Sequence, residues 1–403
     1  MLRRVFKAFQ YRDYRLLWFG ACFSSIGTWM QNVAQSWLVL ELSNSARMLG
    51  VDAFLGSIPI VLFSLIGGVV ADRMDRRRLL ILSQCVQLFS AFFLALLIYT
   101  HVVKVWHIFI LSFITGTAQA FGGPAYSALV PSLVDREDLP NAIALQNIQF
   151  NLARVIGPAL GGIAYSTLGY TWCFALNGIS FLAPIISLMM LSIKFIPEKA
   201  VVSVLTSMKQ GFGFIRNQGA MVALIVLAFC MTALGIPLLT FLPVIAKDVF
   251  HSGLNPAIFT IMLSVSGAGA VTGSLVVASL GNINNKGRVA LTMLICLGVA
   301  MAGFALSKTL IFSYIFLFLA GIALIAVFTM IQSLVQLITG NEMRGRVMSV
   351  YNVAFRGGMP IGNLATGFLV PIFSAPVMLA VNGTLLFVLG LYFLLVQRKV
   401  AEL

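Results

Sequence analysis

Charge is what this sequence has least of. Only 9% of its 403 residues are Asp, Glu, Lys or Arg, against about a quarter in soluble domains, which excludes an ordinary soluble fold. Acidic side chains are scarcer still, with 12 Asp+Glu against 26 Lys+Arg. The three histidines, His101, His107 and His251, are expected in outer loops, at no ligand spacing from a carboxylate or thiol. With the five cysteines (Cys22, Cys85, Cys173, Cys230, Cys296) scattered singly through apolar runs, neither a metal site nor a disulfide framework is expected. The sequence has no Gly-x-x-x-x-Gly-Lys-Ser/Thr loop and its gaps are too short for a nucleotide domain, so no ATP site and no cofactor are expected. Met1 to Arg15 is basic without a small-residue cleavage site behind a short apolar core, and no removable signal peptide is read there.

What the sequence does have is apolar length. Sixty per cent of the residues are apolar and the mean hydropathy is +1.00. Stretches able to cross about 30 Å of hydrocarbon as helices fall near 15–40, 50–71, 79–100, 105–131, 142–167, 172–194, 219–246, 256–280, 288–307, 310–338, 346–371 and 376–397. These are spans 1 to 12 of an all-α integral membrane protein. The net charge of +14 sits in the short gaps between spans, which points to a membrane surface and not to nucleic acid. Twenty Lys and Arg lie in the termini and even-numbered gaps; the other gaps hold only Arg47, Lys104, Lys247 and Lys308. That bias predicts both termini in the cytoplasm.

Shifting the chain by 205 residues lays spans 4–5 over spans 10–11, pairing Leu129 with Leu334, Asn147 with Asn352, Phe150 with Phe355, Gly157 with Gly362 and Gly162 with Gly367 without a gap. The chain therefore reads as two pseudo-symmetric six-helix bundles, 1–195 and 219–403. Between them, 196–218 carries Leu205, Met208, Phe212 and Ile215 at helical spacing with Lys209 and Arg216, a short amphipathic helix on the cytoplasmic face or else a plain linker.

Two motifs identify the chain more closely. Gly68-Val69-Val70-Ala71-Asp72-Arg73-Met74-Asp75-Arg76-Arg77-Arg78, between spans 2 and 3, resembles the signature loop Gly-x-x-x-Asp-Arg-x-Gly-x-Arg-Arg of the major facilitator superfamily, with Asp75 in place of the second glycine. Gly157-Pro158-Ala159-Leu160-Gly161-Gly162 in span 5 resembles the motif of its exporter branches, with Ala153 where a glycine is usual. Glycines at that spacing make a flat helix face, for which Gly267, Gly269 and Gly273 of span 8 offer a counterpart. The whole chain, including Gly27-Thr28-Trp29-Met30-Gln31, is most similar to the exporter subgroup that contains enterobactin and macrolide efflux proteins. The resemblance implies the twelve-helix major facilitator fold in a bacterial inner membrane, a monomer that exports a small molecule by alternating access, usually against protons. It also implies that Gly68, Asp72, Arg73, Arg77 and Arg78, with Arg344 and Arg346 at the start of span 11, control the cytoplasmic gate. The superfamily's arginine in span 4 is absent, since Leu111 to Gly123 contains no basic residue.

Polar residues within spans mark a transport path or interhelical bonding. Span 1 places Thr28, Gln31, Asn32 and Gln35 on one face, span 5 Asn147, Asn151 and Arg154, and span 11 Asn352, Arg356 and Asn363, while spans 4 and 10 add Gln119, Gln332 and Gln336. All twelve carboxylates can be assigned to gaps or span ends, with Glu41, Asp52 and Asp248 on the outer side, so proton coupling falls to Glu41 and Asp52 or to the substrate itself. Arg154 and Arg356 lie roughly 15–18 Å into their spans without an intramembrane acid, which predicts two buried guanidiniums and a neutral or anionic, siderophore-like substrate. A lysophospholipid flippase of the same fold is the alternative; an integral-membrane enzyme finds no supporting constellation.

Overall fold

The computed structural model describes residues 6–192, 204–216, 218–251, 257–280, 285–340 and 343–403; the side chains of Asp72, 204–208 and Leu280 lie outside that description. Among the described residues no strand occurs. After a 3-10 turn, Lys7–Gln10, the first half comprises α1 (Arg12–Ser43), α2 (Ala46–Arg73), α3 (Arg76–Tyr99), α4 (Val105–Leu129), α5 (Leu139–Leu168), α6 (Tyr170–Ser180) and α7 (Leu182–Met189). The remainder is α8 (Val204–Arg216), α9 (Gly219–Gly235), α10 (Pro237–Thr240), α11 (Leu242–Asp248), α12 (Ala257–Leu280), α13 (Lys286–Leu306), α14 (Leu310–Ile338), α15 (Arg344–Phe373) and α16 (Ala375–Leu395). Span 6 is α6 and α7, interrupted at Phe181 ahead of Pro184; span 7 is α9 to α11, interrupted where Pro237 and Pro243 each remove a backbone donor.

Nine described rods are long and apolar enough by themselves to cross a membrane. The three that fall short are α1, α5 and α15, each at least 30 residues long. Their deficit is composition, because they carry the amide and arginine stripes. A helix with such a stripe is stable in a bilayer only when other helices cover it. Accordingly α1 packs on α5, α6 and α7, and α15 on α9 and α8.

The chain divides into two compact units, Met1–Ser43 with Leu55–Val201, and Asn44–Phe54 with Val202–Leu403. The first part of α2 thus clusters with the second unit, where Gly50 meets Gly367 and the Arg47 guanidinium stands 5.0 Å from the Phe368 ring centre. α8 also clusters there. The internal repeat is visible in the helix limits: α4 and α14, α5 and α15, and α6 and α16 each begin 205 residues apart, and α5 and α15 are both 30 residues long. Even the links repeat, since Gly169 (φ 83°) and Ser374 (φ 72°) hold the same positive-φ corner.

In the first unit the amino-terminal turn is clasped to the start of α5. Lys7 Nζ pairs with Asp138 at 2.7 Å, Gln10 and Tyr11 donate to Asp138 at 2.9 Å, Tyr11 donates to Asp135 at 2.8 Å, and the Ala8 amide donates to Asn141 at 2.8 Å. One turn further in, Tyr14 and Trp18 donate to the carbonyls of Ala142 and Leu145. The seam between α1 and α5 is therefore fixed in register by polar bonds at its end and by close packing along its middle.

Candidate functional site

The middle of that seam holds the exceptional residue. Arg154 lies halfway along α5, 6% exposed. Its guanidinium carbon stands 5.9 Å from the Trp29 ring centre, and Trp29 in turn makes an edge contact with Phe150 at 6.1 Å. Phe150, Arg154, Gly157 and Gly161 recur every three or four residues and so share the face of α5 turned to α1. A Cβ on Gly157 would fall 2.9 Å from the Ile26 carbonyl, and one on Gly161 3.0 Å from the Met30 carbonyl. Glycine here lets α1 and α5 approach closely enough for Trp29 to cover the arginine. Arg154 Nη2 is buried with no hydrogen-bond partner, and no described carboxylate pairs with the group.

Desolvating a guanidinium costs several kcal/mol unless hydrogen bonds or an opposite charge offset it. The Trp29 face, at 5.9 Å near the limit of such a contact, offsets on the order of 2 kcal/mol of this. One guanidinium nitrogen, Nη2, thus has no acceptor among the described residues.

Arg356 differs from the expectation of a second buried guanidinium. By surface area it is exposed, and so is Asn352 one turn before it. The repeat does not relate the two arginines: the shift of 205 places Met359 at the Arg154 position and Asn151 at that of Arg356. On the same helix, Tyr351 Oη and Asn363 Oδ1 are buried without hydrogen-bond partners.

The amide stripes separate into bonded and accessible groups. Asn177 donates to Gln31 at 2.6 Å, Gln31 to Gln35 at 3.5 Å and Gln35 to Ser112 at 2.9 Å, a chain that joins α1 to α6 and α4. Thr28 bonds back to the Ser24 carbonyl. Gln119 donates to Gln87 at 3.4 Å. Asn32, Asn147 and Gln336 are exposed, Asn151 and Gln332 half-buried; Asn151 donates to the Asn147 carbonyl. Asn177 and Gln149 escaped the sequence reading. Gln149 donates to Ser25 at 2.7 Å and ties α5 to α1.

The loop between α2 and α3 is partly defined. Asp75 caps α3, its carboxylate accepting from the Arg77 amide at 2.9 Å in an extended N-cap conformation that needs no glycine. Arg77 donates to the Met189 and Leu191 carbonyls at 2.5 and 3.0 Å, and Arg78 pairs with Asp75 at 3.6 Å. Arg73 and Arg344 are exposed and Arg346 is half-buried. Asp72, expected at the gate, has its side chain outside the described residues. Close approach of α2 rests on Gly67, whose Cβ would strike the Ala120 carbonyl and lie 3.1 Å from the Phe121 Cα, while Gly68 has open space around it. Of the exporter-type glycines, Gly157 and Gly161 lie against α1; in span 8, Gly269 and Gly273 lie against α14.

Of the two coupling candidates, Glu41 is exposed and accepts a short hydrogen bond from Tyr170, which packs on Tyr165 at 4.6 Å. Asp52 is 7% exposed, about 9 Å into α2 at 1.5 Å per residue. An apolar hollow between α13 and α16, lined by Leu306, Pro376, Val377, Val381 and Leu385, touches none of these residues.

The profile of one family, described as transmembrane secretion effector, matches residues 5–402. The staphyloferrin A transporter of Staphylococcus aureus is 23% identical over 93% of this chain and 94% of its own. Macrolide efflux protein A of Streptococcus pyogenes is 24% identical over 88% of this chain and 89% of its own. Among solved structures, a POT family transporter in complex with 5-aminolevulinic acid superposes with a TM-score of 0.79 over 96% of both chains at 12% identity, a likeness of fold.

Proposed function

Since the chain belongs to the transmembrane secretion effector family of the major facilitator superfamily, a family of membrane transporters and not of enzymes, we propose that it exports a small, amphipathic, neutral or anionic metabolite of siderophore-like chemistry. Relatives that carry siderophores or drugs set that range. The observation that narrows it is Arg154. A buried cation with an unused donor, roofed by an aromatic ring and paired with no carboxylate among the described residues, favours a ligand that brings an oxyanion and an aromatic face. A cationic ligand would meet the same group as repulsion, on the order of 4 kcal/mol at 4 Å and an effective dielectric of about 20.

Transport proceeds by alternating access with both termini in the cytoplasm, the orientation favoured by the distribution of basic residues. The accessible amides Asn32, Asn147, Gln336 and Asn352, with Arg356, line the path in this reading; Gln31 and Gln35 hold α1 in place for it. Asp72 and the arginines of its loop act at the cytoplasmic gate. A proton gradient drives export, with Glu41 and Asp52 as the coupling carboxylates. The test is binding by detergent-purified protein: Arg154→Gln weakens an aromatic carboxylate at least tenfold and its amide analogue little. Equal weakening of both would assign Arg154 to helix packing instead.

A further inference from the structure

The outward face of α8 is not accounted for by transport. Gly211 and Ile215 are buried against the second unit, with Gly211 close to the Arg346 carbonyl. Lys209, Phe212 and Arg216, at positions i, i+3 and i+7, share the opposite face and are exposed, Phe212 by 61%. An exposed phenylalanine between two cations is the surface that an interfacial helix turns to a bilayer, the ring entering the acyl boundary and the cations meeting headgroups.

Position and charge agree with such a role. α9, a membrane rod, begins three residues after Arg216. The Lys399 ammonium lies beside Gly219 at its start, Arg398 is exposed next to it, and Arg344 and Arg346 open α15. Against these six cations, the one acidic residue at that end among the described residues is Glu402. The first unit is different: its Lys7 and Arg78 are paired with Asp138 and Asp75. Four to eight cations beside membrane helices or on an amphipathic helix form an anionic-lipid site.

We propose that Lys209, Phe212 and Arg216, with Lys399, bind an anionic phospholipid of the adjacent leaflet. The phosphate lies between the cations and Phe212 enters the acyl region. Because Gly211 rests on α15, the lipid bears on the helix that carries Asn352 and Arg356, so occupancy of this surface stabilises the second unit and supports transport.

The experiment measures phosphatidylglycerol binding and thermal stability for the whole chain in phosphatidylethanolamine vesicles titrated with phosphatidylglycerol. Lys209→Gln with Arg216→Gln weakens phosphatidylglycerol binding about thirtyfold, the equivalent of about 2 kcal/mol at roughly 1 per cation, and abolishes the lipid-dependent rise in melting temperature. Phe212→Ala weakens the lipid without changing competition by inorganic phosphate. Lys308→Gln, an exposed cation at the other end of α13, leaves binding as in the wild type and controls for net charge. Unchanged lipid affinity in the double variant overturns the site. So does equal loss in Lys308→Gln, which would make the effect one of overall charge. If Phe212→Ala has no effect on lipid while inorganic phosphate displaces it fully, the surface is a soluble-anion site and the lipid assignment is wrong.

Discussion

At the scale of single residues, Arg154 is a charge whose surroundings satisfy it incompletely, whereas Asp138 is satisfied several times over. The clasp around Asp138 gives a clear pH expectation. The Lys7 ammonium, through its hydrogen bond and then its charge, together with the Tyr11 and Gln10 donors, holds the Asp138 carboxyl below its ordinary value, burial opposing in part. The same hydrogen bond raises Lys7. A carboxyl depressed in the folded state contributes stability that is present above its unfolded pKa and lost as pH falls through the lower folded value. The protection factor of the amides in the Lys7–Gln10 turn is therefore steady from neutrality down to the ordinary carboxylate range and falls only below it. For the raised Lys7 the loss comes on the alkaline side, above its ordinary value of 10.5. Asp138→Asn removes the acid limb of that profile and speeds exchange at pH 7; an unaltered profile would show that the clasp does not hold the turn.

At the scale of elements, two backbone sites discriminate between packing and mere small size. A methyl at Gly157 meets the Ile26 carbonyl at 2.9 Å and the Met30 amide at 3.3 Å, whereas one at Gly68 meets nothing within 4 Å. Gly157→Ala should lower stability by about 1–3 kcal/mol and Gly68→Ala by less than about 0.5 kcal/mol, measured by thermal unfolding in detergent. At the repeated corner, Ser374 has φ 72° and ψ 155° with no side-chain cap bond, a region that glycine alone occupies without strain. Gly169 stands at the matching corner of the first unit. Ser374→Gly should stabilise by about 1 kcal/mol; a lower melting temperature would place the serine in a bond that offsets its strain.

These elements also mark how far the sequence could be read. All twelve rods were legible, because a run of apolar residues long enough to span hydrocarbon has few other solutions, and α5 and α15 were legible as copies before their limits were known. Helix ends were less so. α5 starts at Leu139 and not near 142, because Asp138 and its clasp order one more turn. Within the site, the polar stripes were visible as spacing, but spacing cannot tell an accessible amide from a bonded one: Gln31 and Gln35 have partners on other helices, Asn177 and Ser112, which lie 146 and 77 residues away. The difference between Arg154 and Arg356 was invisible for the same reason. Both read as arginines halfway along a span, and only the helices packed around them decide which is covered.

For the whole molecule, two copies of one six-helix unit have acquired unlike interiors. The first has a covered cation and a bonded chain of amides; the second has accessible Asn352 and Arg356, with Tyr351 Oη and Asn363 Oδ1 buried and without hydrogen bonds. Coupling follows from the same view: Glu41→Gln with Asp52→Asn should reduce pH-driven export by about tenfold if those carboxyls carry the proton, each decade corresponding to about 1.4 kcal/mol in the barrier. Unreduced export in the double variant would transfer coupling to the ionisation of the substrate.

The sign of the transported molecule tests the account most directly. Wild-type protein in proteoliposomes can be offered three labelled compounds of one aromatic skeleton bearing a carboxylate, a carboxamide or an ammonium group, under the same imposed pH gradient. The account predicts fastest transport of the carboxylate, slower transport of the amide and least of the amine, with the preference for carboxylate over amide lost in Arg154→Gln. Transport of the amine at a rate equal to or above that of the carboxylate would contradict it.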